Sequence, residues 1–157
     1  MKKALFVSTI IGEVGIVEED GKITNIFFGG AVKPKQFELL NTPLLEQAAE
    51  QIKEYFSGKR KVFDLPINLK GTPFQIKVWE ALRTIPFGQT ATYKDIAKLI
   101  GNEKGFRAVG LACGKNPILL VVPCHRIISQ DGKIGGFTGG INAKIKLLNL
   151  ENINVKI

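Results

Sequence analysis

The apolar residues of this 157-residue chain change period once, and that change constrains the fold more than any other feature. Before about residue 30 they sit in blocks or alternate, as in KALFVSTI and GEVGIVEED. Successive side chains of a strand point to opposite faces, so these stretches read as strands. Asp20-Gly21 lies between GEVGIVEED and KITNIFFGG, and an Asp-Gly pair between apolar runs is a strong hairpin signal. After Thr42 the spacing lengthens to three or four. Leu45, Ala48, Ala49, Ile52 and Phe56 form one stripe of a helix that Thr42 caps, Pro43 opens and Gly58 stops.

From Phe63 to Gly71 the chain reads as a linker, with Pro66 inside it and a turn at Lys70-Gly71. Thr72-Pro73-Phe74-Gln75 then spells a capping box with proline at the first helical position. That helix runs through Val78, Trp79 and Leu82 until Pro86 and Gly88. Thr92-Tyr93-Lys94-Asp95 starts a second helix that reaches Gly101, and a third spans about Phe106 to Lys115 before Asn116-Pro117. Two short helices around Gly101 suggest a helix-turn-helix. The buried run ILLVVPCHRII reads as a strand ended by Pro123. A glycine-rich SQDGKIGGFTGG and a final helix INAKIKLLNLE follow. The expected class is mixed α/β of the α+β kind, with a small strand-rich domain carrying one helix at 1–70 and a mostly helical domain at 71–157.

Composition excludes several chemistries. Cys113, Cys124 and His125 are the only Cys and His residues, too few for a structural zinc site, which takes about four ligands, and too few for a disulfide framework. No apolar run reaches the roughly 18 residues of a membrane helix. The opening MKKALFVSTIIG resembles a signal peptide, but Glu13 cuts it short, so a cytoplasmic protein without membrane contact is expected. Charge is uneven: residues 1–70 hold 10 basic and 9 acidic side chains, residues 71–157 hold 12 and 5. A neutral half joined to a basic half points to a polyanionic partner.

Cys124-His125 is the pair best suited to chemistry. A thiolate is the reactive form of cysteine, and an adjacent imidazole can generate it near neutral pH. Neighbours on a strand face opposite ways, so such a pair works only in a turn or at a helix start. The carboxylate that would orient His125 has to come, in the second half, from Glu80, Asp95, Glu103, Asp131 or Glu151. Cys113 has no adjacent base and reads as structural. On these residues alone three functions stay open: transfer to Cys124, a DNA-binding regulator with a buried cysteine, and a cysteine hydrolase.

Taken with RAVG at 107–110, Asn116-Pro117, IPFGQTATYKDIA and the glycine-rich loop, VVPCHRII resembles the DNA-binding domain of the O6-alkylguanine-DNA alkyltransferases, the methylated-DNA–protein-cysteine methyltransferases. The similarity runs from about Thr72 to Glu151, and residues 1–70 resemble that family's ribonuclease H-like N-terminal domain. The resemblance implies a winged-helix-like DNA-binding domain and a direct-reversal repair enzyme. It would flip an O6-alkylguanine out of duplex DNA and take its alkyl group irreversibly, once per molecule, without cofactor or metal. Cys124 would be the acceptor, His125 its activator through a bound water, Glu151 the group orienting His125, and Asn116 the brace of the turn. Arg107 would replace the extruded base, Tyr93 would help turn the nucleotide and give a proton, and small Ala108 and Gly110 would let the helix approach the minor groove. Pro123, Ile127, Phe137, Thr138 and Cys113 would form the substrate pocket, the backbone around Cys124 and Ile127 meeting the guanine edge and Thr138 lying near its O6. The protein would act as a monomer on double-stranded DNA.

Three positions depart from the family's pattern. Phe137 stands where tyrosine is common, Cys113 where another apolar side chain is usual, and Leu119 where some relatives have proline. All three bear on substrate range rather than on the acceptor.

Overall fold

Strands β1 (Lys3–Thr9), β2 (Gly12–Glu19) and β3 (Lys22–Phe27) form an antiparallel meander in the computed structural model, which describes residues 1–155. Asp20 and Gly21 both take positive φ (54° and 77°), as the tight hairpin turn between β2 and β3 requires. The register sets Val7 opposite Val14, and Ile16 opposite both Leu5 and Ile26. A short strand β4 (Glu38–Leu39), absent from the sequence reading, pairs parallel with β1 and completes the order β3-β2-β1-β4. Two exposed residues without alternation leave no pattern to detect.

Val7, Val14, Ile16, Ile23 and Ile26 face α1 (Pro43–Phe56), whose Leu45, Ala48, Ala49, Ile52 and Tyr55 are buried. Thr42 Oγ1 accepts from the Leu45 amide, the expected cap. The opposite face of the sheet carries a smaller cluster of Ala4, Val17 and Phe27, with Phe37 packed against it.

The outer edge of β3 is covered from within the chain. The expected linker is pinned there: the Ile23 amide donates to Pro66 O (2.8 Å) and the Asn68 amide to Ile23 O (2.9 Å). Further along, the Ile26 amide donates to Pro117 O (3.0 Å) and the Leu119 amide to Ile26 O (2.9 Å). A strand edge with free N–H and C=O groups invites pairing, and these two segments use it to hold the second half against the sheet.

The second half carries α2 (Pro73–Leu82), α3 (Tyr93–Leu99), α4 (Phe106–Cys113) and α5 (Ile141–Leu150). Capping boxes start α2 at Thr72/Gln75 and α3 at Thr92/Asp95. Gly101, at φ +80°, turns the chain between α3 and α4. Trp79 Nε1 donates to Ala112 O (2.8 Å), locking α2 to α4. One continuous core runs from Val7 and Ile26 through Trp79 and Val109 to Leu147. The strand expected in ILLVVPCHRII up to Pro123 does not form. Ile118 and Leu119 make only single bridges, and Leu120 takes φ +72° as the chain reverses. The edge of β3 fixes 117–119, so Cys124 is reached only by this reversal; tertiary pairing overrides β propensity.

Candidate active site

Cys124, His125 and Arg126 form a single 3₁₀ turn, with Pro123 as its N-cap. The adjacent pair therefore lies on a turn, the geometry the chemistry asked for. Asn116 builds that turn from behind. Its Nδ2 donates to Val122 O (2.8 Å) and to Cys124 Sγ (3.2 Å), while its Oδ1 accepts from the Ile118 amide (3.0 Å). Asn116 is buried, and these bonds satisfy its amide in full view of the thiol. Burial pushes the Cys124 thiol up to about 11, while the Asn116 donor and the Lys144 charge pull it down.

Of the five carboxylates considered, Glu151 is the one at His125. Its Oε2 lies 2.8 Å from His125 Nε2 and accepts from Tyr55 Oη (2.6 Å) and Arg126 Nη2 (3.1 Å). Its Oε1 accepts from Arg126 Nε (2.8 Å) and the Gly88 amide (3.1 Å). Burial favours the neutral acid here, but the His125, Arg126 and Tyr55 donors outweigh it and hold the Glu151 carboxyl well below its usual range. An ionised Glu151 makes His125 Nε2 the protonated nitrogen and leaves Nδ1 as the acceptor. Burial keeps the imidazole below its ordinary pKa, against the opposing pull of Glu151, so it rests neutral. A neutral base with its proton held on the far nitrogen is arranged to take one from the thiol.

In front of Cys124 lies a pocket of about 360 Å³ lined by Tyr93, Gly110, Cys113, Gly114, Gly136, Phe137 and Thr138. Five of the sequence candidates besides Cys124 thus share one cavity: Tyr93, Gly110, Cys113, Phe137 and Thr138. Burial and the neighbouring Cys124 push the Cys113 thiol far above the usual cysteine range. Burial raises the Tyr93 hydroxyl as well, so it rests protonated. Two expected pocket residues have side chains outside this lining. Pro123 faces a separate cleft with Phe87 and Arg126, and the Ile127 side chain is in the core. The turn sends its first residue to one side and the extended backbone after it sends Ile127 inward. Leu119 is fully buried and also outside the lining. Arg107 and Ala108 stand exposed on α4, outside the cavity.

Three residues of the site escaped the sequence reading. Arg126 binds both Glu151 oxygens and donates to Ile85 O (2.7 Å). Tyr55 brings a hydroxyl from the half that showed only core-building residues; a tyrosine in an apolar stripe was the available signal. Lys144 is 1 % exposed, on the buried face of α5 beside Ala143, Leu147 and Leu148, and that helical register was its signal. The pocket loop itself rests on the first half. Gly29 and Gly139 approach so closely that a Cβ on Gly29 would lie 2.4 Å from Gly139 O, and Phe28 packs against Phe137 at 5.9 Å between ring centroids.

Residues 1–69 match the ribonuclease-like domain of 6-O-methylguanine DNA methyltransferase, and residues 73–153 match its DNA binding domain. The chain belongs to that family. It is 42% identical over 155 residues to the constitutive methylated-DNA–protein-cysteine methyltransferase of Bacillus subtilis, covering 94% of each chain. It is 48% identical over 116 residues to the methylated-DNA–protein-cysteine methyltransferase of Methanosarcina barkeri, covering 74% of this chain and 73% of that one. The crystal structure of Mycobacterium tuberculosis OGT in complex with DNA superimposes with a TM-score of 0.86 at 39% identity, covering 96% of this chain and 91% of that one. The α+β architecture, with a small sheet domain followed by a helical DNA-binding domain, is that of this family.

Proposed function

We propose that this protein repairs O6-alkylguanine in double-stranded DNA by moving the alkyl group to Cys124, once per molecule. The observation that carries the reading is the line of contacts behind the pocket: a thiol at its floor, a neutral imidazole beside it, and an ionised carboxylate fixing that imidazole's tautomer. His125 Nδ1 takes the thiol proton through water. The thiolate attacks the alkyl carbon, an S–C bond forms, and the C–O6 bond breaks. The electron pair stays on the guanine, which takes a proton from the Tyr93 hydroxyl and leaves as the normal base, and the proton held by His125 passes through water back to Tyr93. Nothing returns Cys124 to a thiol, so a molecule reacts once.

A base inside a duplex presents no path to its O6, so the nucleotide must leave the stack at a cost of a few kcal/mol. Arg107, exposed on α4, is the side chain to fill the gap, and Tyr93 with Gly110 forms the passage into the cavity. In this reading α3 and α4 act as a helix-turn-helix, docked in the minor groove, where damage is found without a sequence code. Residues 1–70 and 71–157 are the two domains, the protein works as a monomer, and the reaction is cytoplasmic. No helix among the described residues is long and apolar enough to cross a membrane. Peptide mass spectrometry after mixing with duplex DNA bearing one O6-methylguanine tests the assignment. One methyl on the peptide holding Cys124, saturating at one equivalent, is expected. Cys124→Ala should take up none and still bind the duplex. A methyl on Cys113 would move the site, and no methyl on either would reject transfer.

A further inference from the structure

Lys144 is the buried ionisable group that this chemistry leaves unexplained. A lysine is almost never fully buried unless paired, and no carboxylate lies within salt-bridge distance of Lys144 among the described residues. Its ammonium instead donates to two backbone carbonyls, Ile127 O at 2.5 Å and Gly136 O at 3.0 Å. Those carbonyls belong to opposite sides of the site. Ile127 directly follows the Cys124–Arg126 turn, while Gly136 lies in the pocket wall. Gly135 lies beside the ammonium at φ +71°, a conformation a side chain would strain, and an added Cβ would crowd Ser129 Oγ at 3.1 Å.

We infer that Lys144 is a positioning residue for alkyl transfer: its ammonium clamps the pocket wall to the backbone after the acceptor turn and sets a positive charge facing the Cys124 thiol. The inference rests on the proposed transfer reading for its purpose, but not for its test. The ammonium's charge acts on Cys124 and His125 from the turn and on Cys113 from α4. Arg126, the other cation of the turn, is bound to Glu151. A charge without a carboxylate partner acts on the thiols undiminished, and a low-dielectric site strengthens it. Burial brings the ammonium down to about 8, while the two thiols oppose that fall. Below that value the ammonium is charged, and thiolate formed there is stabilised by it, which favours the form that attacks. The two hydrogen bonds hold that charge in place, so its position does not depend on a mobile side chain.

The test uses the intact protein and iodoacetamide, a small electrophile that reads thiolate without DNA. Trypsin separates the two cysteines, Cys113 in 108–115 and Cys124 in 116–126, so each is followed by mass. The rate of labelling at Cys124 is measured against pH for wild type, Lys144→Gln, Lys144→Met and Lys144→Arg, with thermal melts on each. In folded Lys144→Gln or Lys144→Met the labelling of Cys124 at about pH 7, where the wild-type ammonium is charged, should slow about tenfold. Lys144→Arg, which keeps the charge, should hold the wild-type rate. A purely structural lysine would lower the melting temperature and leave that rate where it was, and that result in either neutral variant overturns the inference. If the rate falls as expected but wild type takes no methyl from damaged duplex, the transfer reading fails and the charge assignment stands.

Discussion

Glu151→Gln changes one atom and should damage both stability and chemistry, for reasons that follow from five hydrogen bonds. The carboxylate accepts from His125, Tyr55, Gly88 and twice from Arg126. An amide can accept on one side only. Oriented to keep its oxygen on Arg126 Nε and Gly88, it turns an NH₂ toward His125 and Tyr55. Tyr55 can rotate its hydroxyl and accept. His125 can accept at Nε2 only by carrying its proton on Nδ1, the nitrogen required as base. Arg126, 6 % exposed, loses its counter-charge but keeps its bond to Ile85 O. Removing one partner of a buried ion pair costs about 3–5 kcal/mol, and the retained bonds place this case near the lower end, about 3. For a chain of this size that is a fall in Tm of about 6–12 °C.

Two measurements check this together. Thermal melts give the stability loss, and rapid-quench single-turnover assays on methylated duplex give the rate, expected to fall about 10²-fold or more with the base in the wrong tautomer. The double variant Glu151→Gln/Arg126→Met removes the orphaned charge and should recover part of the lost stability without restoring the rate. A Glu151→Gln protein melting within about 2 °C of wild type and transferring at the wild-type rate would refute the reasoning. So would a double variant whose losses equal the sum of the single ones.

Asn116→Ala leaves the Ile118 amide unpaired in the interior, at about 1–3 kcal/mol, takes one of two donors from Val122 O, which keeps the Cys124 amide, and frees the turn; urea unfolding should lose at least the smaller figure, and an unchanged midpoint would remove Asn116 as the brace. Stability should also fall in acid. His125 and Glu151 both titrate lower folded than unfolded, so their contributions are complete above their ordinary values of 6.5 and 4.5 and are lost as pH drops through the folded values. A Tm that does not change between pH 7.5 and 4 would contradict this. Leu119→Pro deletes the amide that bonds Ile26 O and empties a fully buried position, costing about 1–3 kcal/mol for the stranded carbonyl alone, while Leu119 lies outside the pocket lining. Preference between O6-methyl and O6-benzyl guanine should therefore stay at the wild-type ratio, and a changed ratio would return Leu119 to the pocket wall.

What the sequence made legible is what local chemistry determines. The Asp20-Gly21 hairpin, the Thr42, Thr72 and Thr92 caps and the stop at Gly101 each depend on a few neighbouring residues, and all appear where expected. The pair Cys124-His125 was legible as chemistry because adjacency demands a turn. The strand expected over ILLVVPCHRII failed because its apolar residues are buried by the β3 edge and the core, which period alone cannot distinguish from strand burial. Lys144 was missed for a related reason: its side chain reads as solvated by type, and only the register of α5 turns it inward. Pro123 and Ile127 were expected at the pocket from the family resemblance, and their side chains lie elsewhere because a tight turn rotates neighbours away from one another.

The strand-rich half contributes no side chain to the pocket, yet the site depends on it. Glu151 is held by groups from residues 55, 88, 125 and 126, and the first of these lies on α1, in a different half from the nucleophile. Asn116 is placed because Pro117 and Leu119 bond the edge of β3 on either side of Ile26. The pocket loop is placed because Gly139 rests on Gly29 and Phe137 on Phe28. The thiol through Asn116, the carboxylate through Tyr55 and the cavity through its loop are therefore braced by separate contacts to the same half, and the imidazole is held through Glu151. A helical domain alone would keep Cys124 and His125 adjacent but would lose the Tyr55 donor to Glu151 and the edge that fixes Asn116. Reactivity at a buried thiol depends on donors held within a few tenths of an ångström, so the first half acts on the site through rigidity.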